Sequence, residues 1–305
     1  MKIPGPPARH SRRAVDRASG VAVMGCCLSK QTTDTSQNVA RNASQREMAW
    51  KTTGIVGLRD ARLASLPAKI FSADVAPKCR NVDASNNKIA SLPPSIGTLV
   101  NLQRLTLTAN ALTTLPDELA QCVNLRVLVL DRNAISRVPD CVLASLTKLQ
   151  TLSLAHNKLA AMPSVASLAK LEKLTVAGNS LTSLPDGAGR CAMLEELDAG
   201  DNPVDVIDAS LGALTRLRVL NVERTRVSAV PPEVFKGCVS LVTMSLHGCP
   251  VDADAIEETD GFAQYAERVR DKHGKKIHGG AMVGSRGLDD GVDRATGGRN
   301  IAPHR

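Results

Sequence analysis

The residues equipped for chemistry fall into three groups. In the first, residues 24–30 read M-G-C-C-L-S-K, with Gly25 after a methionine and Ser29 four residues on. That is the N-myristoylation pattern, and the adjacent Cys26 and Cys27 are acceptors for palmitoylation. Acylation needs Gly25 at a free N-terminus, so the motif implies translation from Met24. A myristoyl chain alone binds membranes marginally, and a second acyl chain would secure the attachment. The second group is histidine. His273 and His278 sit in a lysine- and glycine-rich tail without a carboxylate or cysteine at ligand spacing, so no metal site is expected. His156 and His247 lie too far apart to act together. The third group is eight cysteines without a C-x-x-C pair, which fits a reducing compartment rather than a disulfide framework. Cys79, Cys122, Cys141, Cys191 and Cys238 read as small hydrophobes. H-E-x-x-H, phosphate-binding G-K-[ST] and nucleophile-elbow motifs are all absent from the sequence. No catalytic, cofactor or metal residue is therefore expected.

What must position any working side chain is a repeat written nine times over residues 53–251. The clearest copy, LQRLTLTANALTTLPDELAQCVN, begins at Leu102. Others begin at Leu125, Leu149, Leu171, Leu194, Leu217 and Leu241, at steps of 22 to 24 residues, with weaker copies at Thr53 and Cys79. The shared form L-x-x-L-x-L-x-x-N-x-L-x-x-L-P is the leucine-rich-repeat pattern, and its period signals a solenoid. Alternating leucines such as Leu105 and Leu107 predict a short strand with one face buried. Nine such strands predict an α/β horseshoe: a parallel concave sheet about 43 Å along its edge, with short helical or 3₁₀ segments on the convex side. The recurring Asn87, Asn110, Asn133, Asn157, Asn179 and Asn202 stand where the chain leaves the strand. Their amides suit them to a ladder that satisfies the backbone of the turns. Thr225 and Cys249 take that place in repeats eight and nine, and Asp208 replaces the repeat's proline in repeat seven.

The x positions of each strand point away from the core, so they predict the face offered to a partner. Repeats three and four place Arg104, Arg126 and Arg132 there, with Val127 and Val129 as exposed apolar residues. Repeats five and six show small groups, among them Thr151, Ser153 and Thr175. Repeat seven shows Glu195, Glu196, Asp198 and Asp201, bordered by Lys173 and Arg218. This predicts a polarised groove whose acidic end steers a basic segment while the valines make the dry contact.

The net charge of +8 belongs to the ends: residues 1–23 and 263–305 each carry +4, and the remaining bases and acids balance. Basic tails bind phosphates weakly and without aromatic platforms, so nucleic acid is a remote alternative and none is expected as partner. The domain reading is an extension at 1–23, a flexible lipidation segment at 24–47, the solenoid at 48–251, a capping helix at 252–275 and a tail at 276–305. Within it, Met48 and Trp50 cover the open first repeat, and Ala255–Lys272 forms the opposite cap. No apolar run is long enough to span a membrane.

These repeats resemble the intracellular leucine-rich-repeat proteins of the L-P form, which include Ras-suppressor and plant Ras-group-related proteins. TTGIVGLRD at 52–60, DGFAQYAERVRDKHGKK at 260–276, MVGSRGLDDGVD at 282–293 and the MGCC start are similar to a small plant and algal family. That family is grouped with leucine-rich repeat-containing protein fifty-seven. The likeness spans 24 to about 293 and leaves 1–23 outside. It implies a cytosolic or membrane-attached binding protein without catalytic residues. The expected function is a monomeric protein-binding adaptor in small-GTPase or kinase signalling, with a phosphatase-regulatory subunit as the alternative. The expected location is cytoplasmic, on the cytosolic membrane face if translation begins at Met24.

Overall fold

The computed structural model describes residues 45–277. Of the described residues, all but the first two belong to one compact unit. Gly25, Cys26, Cys27 and both basic ends up to 44 and from 278 lie outside the described residues.

Nine three-residue strands stack in sequence order into one parallel sheet. They are β1 (Ile55–Gly57), β2 (Asn81–Asp83), β3 (Arg104–Thr106), β4 (Val127–Val129), β5 (Thr151–Ser153), β6 (Lys173–Thr175), β7 (Glu196–Asp198), β8 (Val219–Asn221) and β9 (Thr243–Ser245). Pairing is in phase throughout, so Leu105, Leu128, Leu152, Leu174, Leu197 and Leu220 form one inward column. That column is buried, and so is the second leucine row at Leu107, Leu130 and Leu154. A one-residue slip in any coil would expose both rows, which is why the alternation pins the register.

The asparagine ladder closes the turns. Asn202 shows the full set: Nδ2 donates to the carbonyls of Val176, Ala199 and Gly200, each at 3.0 Å, and Oδ1 accepts from Leu181 N–H at 3.1 Å. Asn87, Asn110, Asn133, Asn157 and Asn179 repeat it. Each amide thus bonds its own coil and the coil before it. The residue just before the ladder position has positive φ in every coil, and only Gly178 and Gly248 are glycine there. Asp60, Asn86, Ala109, Arg132, His156, Asp201 and Arg224 accept the left-handed conformation, at a cost of about 1–2 kcal/mol each that the ladder must offset.

Prolines Pro93, Pro116, Pro139 and Pro231 stand immediately before short convex helices, fixing φ where a helix starts. Asp208 replaces the proline by another device: its carboxylate accepts from Ser210 N–H at 2.7 Å and caps the 3₁₀ turn Ala209–Ala213. Successive convex helices touch closely. A Cβ on Gly237 would lie 1.9 Å from the Gly212 carbonyl oxygen, whereas one on Gly57 would meet nothing within 4 Å. Gly237→Ala should therefore push two coils apart and cost about 1–3 kcal/mol or more. Gly57→Ala should leave stability unchanged or raise it by about 0.5 kcal/mol. Urea unfolding of the two variants checks this, and equal midpoints would refute so close an approach.

Each end of the solenoid is covered. Residues 47–53 are helical and bury Trp50, with Lys51 paired to Asp74 at 3.0 Å, while Met48 stays exposed. At the far end two helices, Ala253–Glu257 and Phe262–Ile277, replace the single helix expected over 255–272, because the chain turns at 258–261. Phe235, Phe262 and Tyr265 form a ring cluster with centroids 5.6 to 6.0 Å apart. Arg268 lies 6.0 Å from the Tyr265 ring centre and donates to the Phe235 carbonyl at 3.0 Å.

Candidate protein-binding face

The parallel register sets the outward side chains in rows. One strand row runs Ile55, Asn81, Arg104, Val127, Thr151, Lys173, Glu196, Val219, Thr243; the other runs Gly57, Asp83, Thr106, Val129, Ser153, Thr175, Asp198, Asn221, Ser245. Arg80, Gln103 and Arg126 continue the surface at the strand entries, tied by bonds from Gln103 N–H to Arg80 O (2.7 Å) and from Arg126 N–H to Gln103 O (2.8 Å). Most of these residues are exposed or half-exposed.

The charges differ between the two halves. On β6–β8 the acids are matched within the chain. Glu196 pairs with Lys173, Glu195 with Arg218 at 4.0 Å, and Asp201 with Arg224 through a two-point contact whose Nη2–Oδ2 arm is 2.6 Å. Asp198 accepts from Asn221 Nδ2 at 2.9 Å. The Arg224 guanidinium holds the Asp201 carboxyl below the usual carboxylate range. The acidic end expected to steer a basic segment is therefore largely neutralised by its own neighbours. On β2–β4, by contrast, Arg80, Arg104 and Arg126 are exposed and have no acid partner among the described residues. Arg132 is exposed and unpaired too, but it stands in the turn after β4 rather than on the strand rows. Val127 and Val129, expected as exposed, are half-buried between their neighbours, and the exposed apolar residue of the strand rows is Ile55 at 54%.

Sequence reasoning missed Ile55 and Arg80 as members of this face. They fall on outward positions of the two weakest repeats, where Thr53 and Cys79 fill the first leucine slot and blur the phase. Counting positions back from the ladder would have found them. The histidines stay apart, His156 lying on its own turn against Gly178, where a Cβ would come 2.5 Å from its Nδ1. Buried Cys79, Cys122, Cys191 and Cys238 have thiols pushed up to about 11 by desolvation, so they are packing groups rather than nucleophiles. Cys141 departs from its expected packing role, being exposed beside Asp117. Among the described residues no group of three or more His, Cys, Asp or Glu is placed to hold a metal, and no helix is long and apolar enough to cross a membrane.

Nine in-phase coils, an inward leucine lattice and an asparagine ladder define a leucine-rich-repeat solenoid. Comparison with known proteins agrees. The family described as leucine-rich repeat region matches residues 117–244, and leucine rich repeat matches 77–135. Plant intracellular Ras-group-related LRR protein 8 of Oryza sativa subsp. japonica is 34% identical, covering 87% of this chain and 70% of that protein. Protein 7 of the same series and organism is 44% identical over 87 residues, covering 28% of this chain and only 29% of the relative. Among solved structures, a leucine-rich-repeat protein of Leptospira interrogans superposes with a TM-score of 0.56 at 26% identity, over 62% of this chain and 59% of that one. The chain belongs to the plant intracellular Ras-group-related leucine-rich-repeat family.

Proposed function

We propose that this chain is a non-catalytic scaffold that binds a protein partner on the concave strand face. The observation that carries the reading is the pair of in-phase outward rows, which present variable side chains over a rigid, fully paired sheet. The candidate contact residues are Arg104, Arg126, Val127, Val129 and Arg132 on one half and Glu195, Glu196, Asp198, Asp201 and Arg218 on the other. The relatives' names, which read intracellular and Ras-group-related, support an intracellular role, and we extend this to an adaptor in signalling. The M-G-C-C-L-S-K stretch supports cytosolic-face membrane attachment through Gly25, Cys26 and Cys27 in a product that begins at Met24.

The test captures a partner on the full chain and compares variants of the two sides. Thr106→Trp and Val129→Asp place bulk and charge on the strand face, while Ala68→Arg and Ala213→Arg alter exposed convex positions. Capture should fall with the first pair and persist with the second. Loss confined to the convex pair would overturn the reading.

A further inference from the structure

We propose that the β1–β4 half of the strand face is a docking site for an extended acidic segment of a partner protein. The proposal rests on the scaffold reading and adds the partner's chemistry. Three observations carry it. Arg80, Arg104 and Arg126 are exposed and unmatched by any carboxylate among the described residues, whereas Lys173, Arg218 and Arg224 on the other half are each paired. The acids that do occur here are held by neutral groups: Asp83 accepts from Ser85 N–H and Oγ of its own coil, at 3.1 and 2.6 Å, and Asp131 accepts from Ser153 Oγ at 2.6 Å and Ala155 N–H at 2.8 Å of the next coil. The arginines are also set beside apolar surface, since Arg104 is the register partner of Val127 and Ile55 stands exposed two strands away.

The spacing names the kind of segment. Arg80 and Arg126 occupy equivalent places two strands apart, which is about 10 Å. A segment in the extended polyproline II conformation has three residues per turn at about 3.1 Å each, so carboxylates three residues apart share one face at about 9 Å and meet both guanidinium groups. Each guanidinium presents a planar fork of donors that matches a carboxylate at two points. Arg104 lies between them and one step along its strand, where it meets the intervening chain. Val127 and Val129 lie on the strand that Arg126 enters, so small apolar side chains suit the residues beside the second acid. On the other half the strand-face cations Lys173, Arg218 and Arg224 are already paired, and the exposed Glu172 would repel an acidic segment, which makes the site directional.

The probe is a fluorescein-labelled peptide of about a dozen residues with glutamate at every third position and valine or threonine between. Fluorescence anisotropy with the full chain should show saturable binding that weakens as salt rises. The same peptide with lysine for glutamate should not bind. Arg104→Glu combined with Arg126→Glu should weaken binding by about tenfold or more, while Glu233→Lys, exposed on a convex helix, should change it by less than about twofold. Circular dichroism guards the fold, and the substituted side chains are exposed or half-exposed. Equal binding of the lysine peptide, or binding untouched by the arginine reversals, overturns the acidic-segment site. If Thr106→Trp abolishes binding while the arginine reversals do not, that site fails and the strand-face scaffold stands. Binding kept in both fails both. Arginine-dependent binding of phosphatidylserine vesicles or of single-stranded RNA, with no peptide binding, also overturns it.

Discussion

Phe235→Ala will lower the unfolding free energy by about 3–5 kcal/mol, among the largest losses open to a single substitution in this chain. Phe235 is fully buried, stands edge-on to Phe262 and leans against Tyr265, which is 2% exposed. The chain has only three Phe, one Tyr and one Trp, and all three rings of this cluster serve one end. Their task follows from repeat architecture: the last coil has no successor to bury its apolar face, so a different element must. Removing the ring leaves a cavity between the last convex helix and Phe262–Ile277, and the chain can close it only by moving that helix. Hydrogen exchange should locate the damage, with amides of β9 losing protection before those of β3. A midpoint shift equivalent to less than about 1 kcal/mol would show that the cap is held by something else.

Asn202→Ala will cost about 1–3 kcal/mol, and Thr225→Ala in the next coil will cost clearly less. Asn202 is 2% exposed, and its Oδ1 is the acceptor for Leu181 N–H in a buried hydrogen bond. Its loss strands that donor, while the Val176 carbonyl keeps a bond from Asn179. Thr225 has less to lose, since its hydroxyl donates to Val222 O in its own coil at 2.8 Å. The same carbonyl also accepts from Cys249 Sγ of the following coil at 3.0 Å, so it keeps a partner when the hydroxyl is lost. Thermal melts that rank the two variants the other way would refute the ladder's role.

The sequence by itself determined the nine coils, the inward leucine columns of the well-formed repeats and the ladder. A period in the twenties with two-residue alternation leaves one solution in which all leucines are buried and all turns satisfied. It also located the caps at Trp50 and in the 255–272 region, because an open coil end must be covered.

The charge state of the binding face was decided only by tertiary structure. Glu195, Glu196 and Asp201 are acidic in the sequence, yet each meets a cation one coil away, 23 residues before or after it in the chain. Composition gives the charges; stacking at about 4.8 Å per coil decides which of them cancel. The same stacking leaves Arg80, Arg104 and Arg126 unmatched, because their neighbours in register are Asn81, Gln103, Val127 and Gln150. The left-handed residue before each ladder position was also invisible, since seven of the nine are not glycine. There the ladder's hydrogen bonds and the buried leucines impose a backbone that local preference would not choose. Long-range packing outweighs a cost of about 1–2 kcal/mol per turn.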